Sequence, residues 1–221
     1  MSIDRLKLKG STDNYYVAVD TTYGFHLKWR RISAPNVKTV YDEIPGANGS
    51  LDETEELGEV FYEDRELDLG CVLPSSTWQT PYQNLCSKYH GKLVKIQFTN
   101  DANYYWTGRL FVDEYDAKAH SLSMRAIVYP YKFKVQETVV TKTVMTSDTV
   151  TLTNGRMRVV PTVTISAPVT LAWGGLSKAL SSSSYPATFR IDGFELAPDS
   201  STVVTITGAA TVTITYREGA L

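Results

Sequence analysis

The sequence predicts a mainly β protein of two β-sandwich domains, residues 1–136 and 137–221, with one short α-helix near 77–90 in the first. Three observations predict it. At 221 residues the chain exceeds one small β domain and suits two of roughly 100–130 residues each. Past about residue 135 the composition turns to alternating Thr, Val and Ser, the rhythm of half-buried strands, whose β-branched side chains suit a pleated surface. Before that point strand-like runs dominate, and helical spacing interrupts them once.

In the first domain the strand-like runs are 15–20, 37–44, 60–69, 93–99, 104–115 and 121–129. The interruption lies at 77–89, where Trp78, Tyr82, Leu85, Cys86 and Tyr89 fall on one helical face. Pro81 sits in its first turn if Thr77 or a neighbour is the N-cap, and Gly91 is placed to close its C-terminus. In the second domain Val150 to Thr153, Val163 to Ser166, Val203 to Ile206 and Val212 to Thr215 carry the strand rhythm. Asn154-Gly155, Gly174-Gly175, Asp192-Gly193 and Pro198-Asp199 mark turns between them. Such short, evenly spaced strands indicate an antiparallel sandwich or barrel.

Charge and cysteine usage narrow the function classes. The net charge is −2 and no basic cluster stands out, which argues against nucleic acid as the main ligand. Cys71 and Cys86 fit thiols kept in a reducing compartment, although a disulfide between them is an alternative. His26, His90 and His120 lie far apart, so neither they nor the cysteines form a metal pattern, and no cofactor is implied. Residues 1–7 hold no apolar run of signal-peptide length, and no stretch is long enough to span a bilayer. The expectation is a soluble chain that is not exported by the usual route.

Catalytic residues are not found. Acids are dense between 42 and 68, with Asp42, Glu43, Asp52, Glu53, Glu55, Glu56 and Glu59 at their centre and Arg65 the single base. Two facing carboxylates would suit a glycosidase, and a calcium loop needs ligands in alternating register; the run at 52–56 lacks that register. The remaining readings are a solvated acidic face, or a face lining a channel that DNA passes without sticking. Nucleophile elbows and phosphate loops are absent. Trp173, beside Gly174-Gly175, is a candidate for stacking on a sugar, as are Tyr104-Tyr105-Trp106. Core packing competes with that reading, because Tyr104 and Trp106 share one face of a strand and one face must be buried.

The segment from Asp42 through Ile44-Pro45-Gly46-Ala47-Asn48-Gly49 to Asp52, followed by Phe61-Tyr62-Glu63-Asp64-Arg65, resembles the signature region of phage distal tail (Dit) proteins. So, in the same order, do Tyr89-His90-Gly91-Lys92, Val94-Lys95-Ile96, Tyr104 to Arg109, and Tyr129-Pro130-Tyr131-Lys132. Val160 to Ile165 and the closing Val212 to Leu221 extend the likeness over nearly the whole chain. Glu53 departs from it, standing where that family is usually apolar.

The resemblance implies a non-enzymatic siphophage baseplate hub in the virion, assembled in the host cytoplasm. Its N-terminal domain would be tail-tube-like and close into a homohexameric ring, and its C-terminal domain would be galectin-like. Implied partners are the tail-tube protein, the tail-associated or fibre protein, and receptor-binding proteins, with DNA only crossing the channel and no membrane contact. Gly46 and Gly49 give the 42–52 loop access to positive φ, the sort of element that reaches a neighbouring subunit. With the acids from Asp42 to Glu59 they form the candidate ring-interface or channel face. Competing functions are a tail-tube subunit and a carbohydrate-binding module that contacts glycan through Trp173.

Overall fold

The computed structural model describes residues 4–221. It is mainly β, 51% strand and 9% helix, with several antiparallel sheets, and fits the β-sandwich class that the sequence predicts. The chain divides into two compact units, one ending at Lys132 and the other running from Phe133 to Leu221.

The first unit contains β1 (Leu6–Gly10), β2 (Val17–Ala18), α1 (Val19–Tyr23), β3 (His26–Ile32), β4 (Tyr41–Glu43), β5 (Ser50–Asp52), β6 (Arg65–Val72), α2 (Gln79–Tyr89), β7 (Lys92–Phe98), β8 (Tyr104–Asp116) and β9 (Ser121–Val128). Its main sheet runs β2-β1-β7-β8-β9-β6-β3, antiparallel at every pairing. Alternation decides the faces. Leu6 and Leu8 on β1, Val94 and Ile96 on β7, and Leu110 and Val112 on β8 are buried together, so the residues between them point outward. Helix α2 covers the apolar face through Leu85 and Tyr89, each contributing about 2 kcal/mol by burial. Gly108 sets how closely β8 and β9 approach, since a Cβ there would lie 2.1 Å from the Ile127 carbonyl oxygen.

Several boundaries differ from the sequence reading for identifiable reasons. Trp78 caps α2 without a side-chain bond, and Gly91 follows the His90 cap at φ 71°. Helix α1 replaces the end of the expected strand at 15–20: Val19 turns into the core and Gly24, at φ 78°, stops the turn. Strand β3 was not expected, because a register shift between Leu27 and Trp29 breaks its period of two. The expected strand at 37–44 shrinks to Tyr41–Glu43 plus a single bridge from Val37 to Tyr62.

The second unit opens with β10 (Lys132–Lys134), which straddles the unit boundary. It continues with β11 (Thr138–Val144), β12 (Ser147–Thr153), β13 (Thr162–Ile165), β14 (Val169–Trp173), β15 (Leu176–Leu180), β16 (Ala187–Arg190), β17 (Ser201–Thr207), β18 (Ala210–Tyr216) and β19 (Gly219–Ala220). Two four-stranded sheets, β11-β18-β13-β16 and β12-β17-β14-β15, enclose a core of Val, Ile and Leu with Trp173, Phe194 and Tyr216. Outside, threonines pair across strands, as in Thr143–Thr211 at 3.0 Å and Thr164–Thr188 at 2.8 Å.

Candidate functional site

Between β3 and β6 the chain leaves the sheet as an arm, residues 33–64, and returns beside its point of departure. The base is tied tightly. Ser33 and Glu66 exchange bonds through the Ser33 hydroxyl, which accepts from the Glu66 N–H at 3.1 Å and donates to the Glu66 carbonyl at 3.0 Å. The Arg65 guanidinium lies beneath, buried, donating from Nε to the Ser33 carbonyl (2.7 Å) and from Nη1 to the Pro130 carbonyl (3.2 Å), and lies over the Trp106 ring. Burial pulls its pKa down from the usual arginine value. Carbonyl partners and an aromatic face are what let a guanidinium sit so deep.

Above the base the two limbs stay paired. The Glu63 N–H donates to the Asn36 carbonyl, Lys38 to Phe61, and Glu53 to Val40, at 2.8–2.9 Å. Strands β4 and β5 then pair Tyr41 with Asp52, Asp42 with Leu51, and Glu43 with Ser50. Gly46 and Gly49 close this hairpin, both at φ 82°, with nothing within 4 Å of where a Cβ would stand. Their requirement is therefore conformational rather than steric. Past β5, turns bonded from Glu56 to Glu53 and from Gly58 to Glu55 carry Glu55 and Glu56.

Near its base the arm packs Tyr62 against Tyr131, but among the described residues its outer part is left uncovered. Tyr41 (57%), Ile44 (51%), Leu51 (48%) and Leu57 (77%) are all substantially exposed. The arm thus carries Asp42, Glu43, Gly46, Gly49 and Asp52 on or between the strands of its hairpin, and Glu53, Glu55, Glu56 and Glu59 on the segment that follows. Asp42 raises the Glu53 pKa by repulsion, with slight burial and Glu56 adding to it. The Thr54 hydroxyl and N–H hold the Asp52 carboxyl below its ordinary value. A two-stranded ribbon is at best marginal alone in water, and its exposed apolar side chains make the arm a candidate contact surface.

Trp173 is placed differently. Its ring is 7% exposed, packs 4.8 Å from Phe194 centroid to centroid, and donates from Nε1 to the Gly193 carbonyl. This leaves no broad ring face for a sugar and weighs for the core reading. Tyr105 and Trp106 are buried as well. Cys71 and Cys86 are free, and burial pushes the Cys71 thiol up to about 12, which makes it inert. Among the described residues no group of three or more His, Cys, Asp or Glu is placed to hold a metal ion, and no helix is long and apolar enough to cross a membrane.

Sequence reasoning missed the anchoring by Arg65, which it met only as a lone base among acids. It also missed a row of cations on the outward face of the main sheet: Lys7 and Lys9 on β1, Lys95 on β7 and Arg109 on β8. The signal was available in the alternation with Leu6, Leu8, Val94, Ile96 and Leu110.

No protein-family model matches this chain, and no curated protein matches it in sequence. Among solved structures it is similar to the Dit (gp 19.1) protein of SPP1, whose crystal structure is described as a paradigm of the hub adsorption apparatus in phages that infect Gram-positive bacteria. The likeness covers 100% of both chains with a TM-score of 0.66 and 16% sequence identity. Both units therefore share the fold of a phage hub protein.

Proposed function

We propose that this chain is a non-enzymatic structural subunit of a phage tail tip. It forms a ring of about six copies at the distal end of the tail tube and serves as the baseplate hub. The observation that carries this reading is the likeness to the SPP1 hub protein along the full length of both chains, second sandwich included. A tail-tube subunit alone does not call for that second unit. The projecting arm, acidic and apolar at once, supports self-association, because a ring needs one patch of each copy to fit a different patch on the next.

In this reading the first unit builds the ring, joined on one side to the tail-tube protein and on the other to the tail-associated or fibre protein. The second unit offers docking sites for receptor-binding proteins. The open centre passes DNA, and the assembled ring belongs to the virion, having formed in the host cytoplasm. Size-exclusion chromatography with light scattering, followed by negative-stain imaging of the full chain, tests it. Rings of about six copies, single or back to back, are expected. A monomer at all concentrations would refute the proposal.

A further inference from the structure

The outward face of the main sheet is divided electrostatically. Toward β3 its cations are satisfied: Arg31 pairs with Asp68 at 2.7 Å, and Arg125 with Asp113 at 3.3 Å. Toward β1 they are not. Among the described residues Lys7, Lys9, Lys95 and Arg109 meet no carboxylate. Lys9 donates to the Asn14 carbonyl, Lys95 lies over the Tyr105 ring, and Arg109 donates to the Gly91 carbonyl. Cross-strand register places Lys9 opposite Lys95, and Leu93 opposite Arg109, so the four cations form a contiguous field. Leu93, 60% exposed, stands within it beside a cleft of about 260 Å³ bounded also by Lys9, Ser11 and Thr107.

The arm carries the complement. Asp42, Glu43, Asp52, Glu53, Glu55 and Glu56 likewise form no ion pair among the described residues, and Leu57 is the most exposed apolar side chain on the arm. The arm springs from β3 and β6 at one side of the sheet, whereas the cation field lies on β1, β7 and β8, from near the opposite edge to the central strand. Two unsatisfied, complementary surfaces at different places on one subunit suit a head-to-tail contact, the kind that closes into a ring.

We propose that the acidic arm of one copy lies across the Lys7, Lys9, Lys95 and Arg109 field of the next, with Leu57 entering the cleft beside Leu93. This rests on the ring reading and names the contact that builds it. The arm's acids are then covered by the neighbouring subunit and do not line the channel.

A charge exchange in the full chain tests the contact. One variant carries Glu53→Lys, Glu55→Lys and Glu56→Lys, and the other Lys9→Glu, Lys95→Glu and Arg109→Glu. Each alone should need a concentration higher by on the order of tenfold or more to assemble, since several like-charge juxtapositions act together. Mixed in equal amounts they should assemble again with the two variants alternating, because each reversed arm meets a reversed field. If wild type forms rings and both variants assemble as it does, or if mixing fails to restore assembly, the contact is wrong and the ring survives as a reading. If wild type never assembles, both fall. Should a reversed variant misfold, Leu57→Cys with Leu93→Cys gives a second measurement. Oxidation should yield intermolecular disulfide ladders that neither single substitution yields, and their absence from assembled rings would overturn the contact.

Discussion

Two antiparallel hairpins of the first unit, β8–β9 and β4–β5, have opposite relations to the rest of the chain. In β8–β9 every second residue enters the core, from Leu110 and Val112 to Leu122, Met124, Ala126 and Val128, and both outer edges are paired, to β7 and β6. In β4–β5 no residue is buried and both edges are open. Backbone pairing does not explain the difference: β4–β5 pairs without irregularity, while β8–β9 carries a bulge between Val112 and Glu114. The difference teaches that a strand pair is stabilised by what lies against its faces, and that among the described residues β4–β5 buries no face of its own.

The largest effect that would sharpen this contrast is at Gly108. An added Cβ would meet Ile127 O at 2.1 Å and Val128 Cα at 2.5 Å, both backbone atoms that cannot swing away. Gly108→Ala should cost about 3 kcal/mol in denaturant unfolding of the full chain. A loss under 1 kcal/mol would mean that β8 and β9 separate freely, and the contrast with the arm would weaken.

Next is Asp13, which joins the β1 end to α2. Its carboxylate pairs with Lys88 at 2.8 Å and accepts from the Tyr89 hydroxyl and the Gly10 N–H, both at 2.9 Å. Burial alone would raise its pKa; the Lys88 ammonium and the Gly10 and Tyr89 donors outweigh burial and hold it below its ordinary 3.8. A depressed folded value stabilises the charged form, so the contribution is full at neutral pH and is lost as pH falls through the folded value. Asp13→Asn should cost about 2 kcal/mol at pH 7. Its deficit against wild type should narrow as pH drops below about 5. A pH-independent deficit would show that shape, not charge, is what Asp13 supplies.

The second unit offers a smaller case. The Asn154 side-chain amide, nearly buried, donates to the carbonyls of Met157 (2.7 Å), Leu196 and Ala197 (both 3.0 Å). Asn154→Ala should cost about 1–2 kcal/mol, read from the melting of the second unit. An unchanged melt would show that this turn is held by its backbone bonds alone.

Parts of this architecture are legible in the sequence and parts are not. Helix α2 was legible because its apolar side chains repeat at helical spacing, and β9 because its alternation is unbroken; β8 was legible from its β-branched and aromatic run, despite adjacent buried Tyr105 and Trp106 and a bulge after Val112. The asparagine of Asn154-Gly155 announced a turn but not all the carbonyls it joins, since Leu196 and Ala197 come from a segment distant in sequence. The arm misled in part: Val37, Val40 and Tyr41 look like a buried strand because propensity reports a side chain's suitability for a face and not whether a face is there. The acids from Asp42 to Glu59 were found as a group, and the turn at Gly46 and Gly49 is what brings Asp42 and Glu43 beside Asp52. The opposing cations escaped notice because Lys7, Lys9, Lys95 and Arg109 become neighbours only through the pairing of β1, β7 and β8.

The smallest expected effect on stability is the one that would break the comparison most directly. If the arm's apolar side chains have no partner within their own chain, Leu51→Ser with Leu57→Ser removes nothing from the isolated subunit. At concentrations where the protein is monomeric, the unfolding free energy should stay within about 0.5 kcal/mol of wild type, as for surface substitutions generally. At concentrations where it assembles, the same variant should fall behind, because stability gained on association grows with protein concentration. The two measurements separate the accounts. A loss of about 2 kcal/mol in the monomer would place Leu51 and Leu57 inside the subunit's own packing, and the arm would then be a loosely covered part of the first unit. Equal behaviour at both concentrations would make the arm idle in assembly. Only loss confined to the assembled state makes the neighbour the missing face.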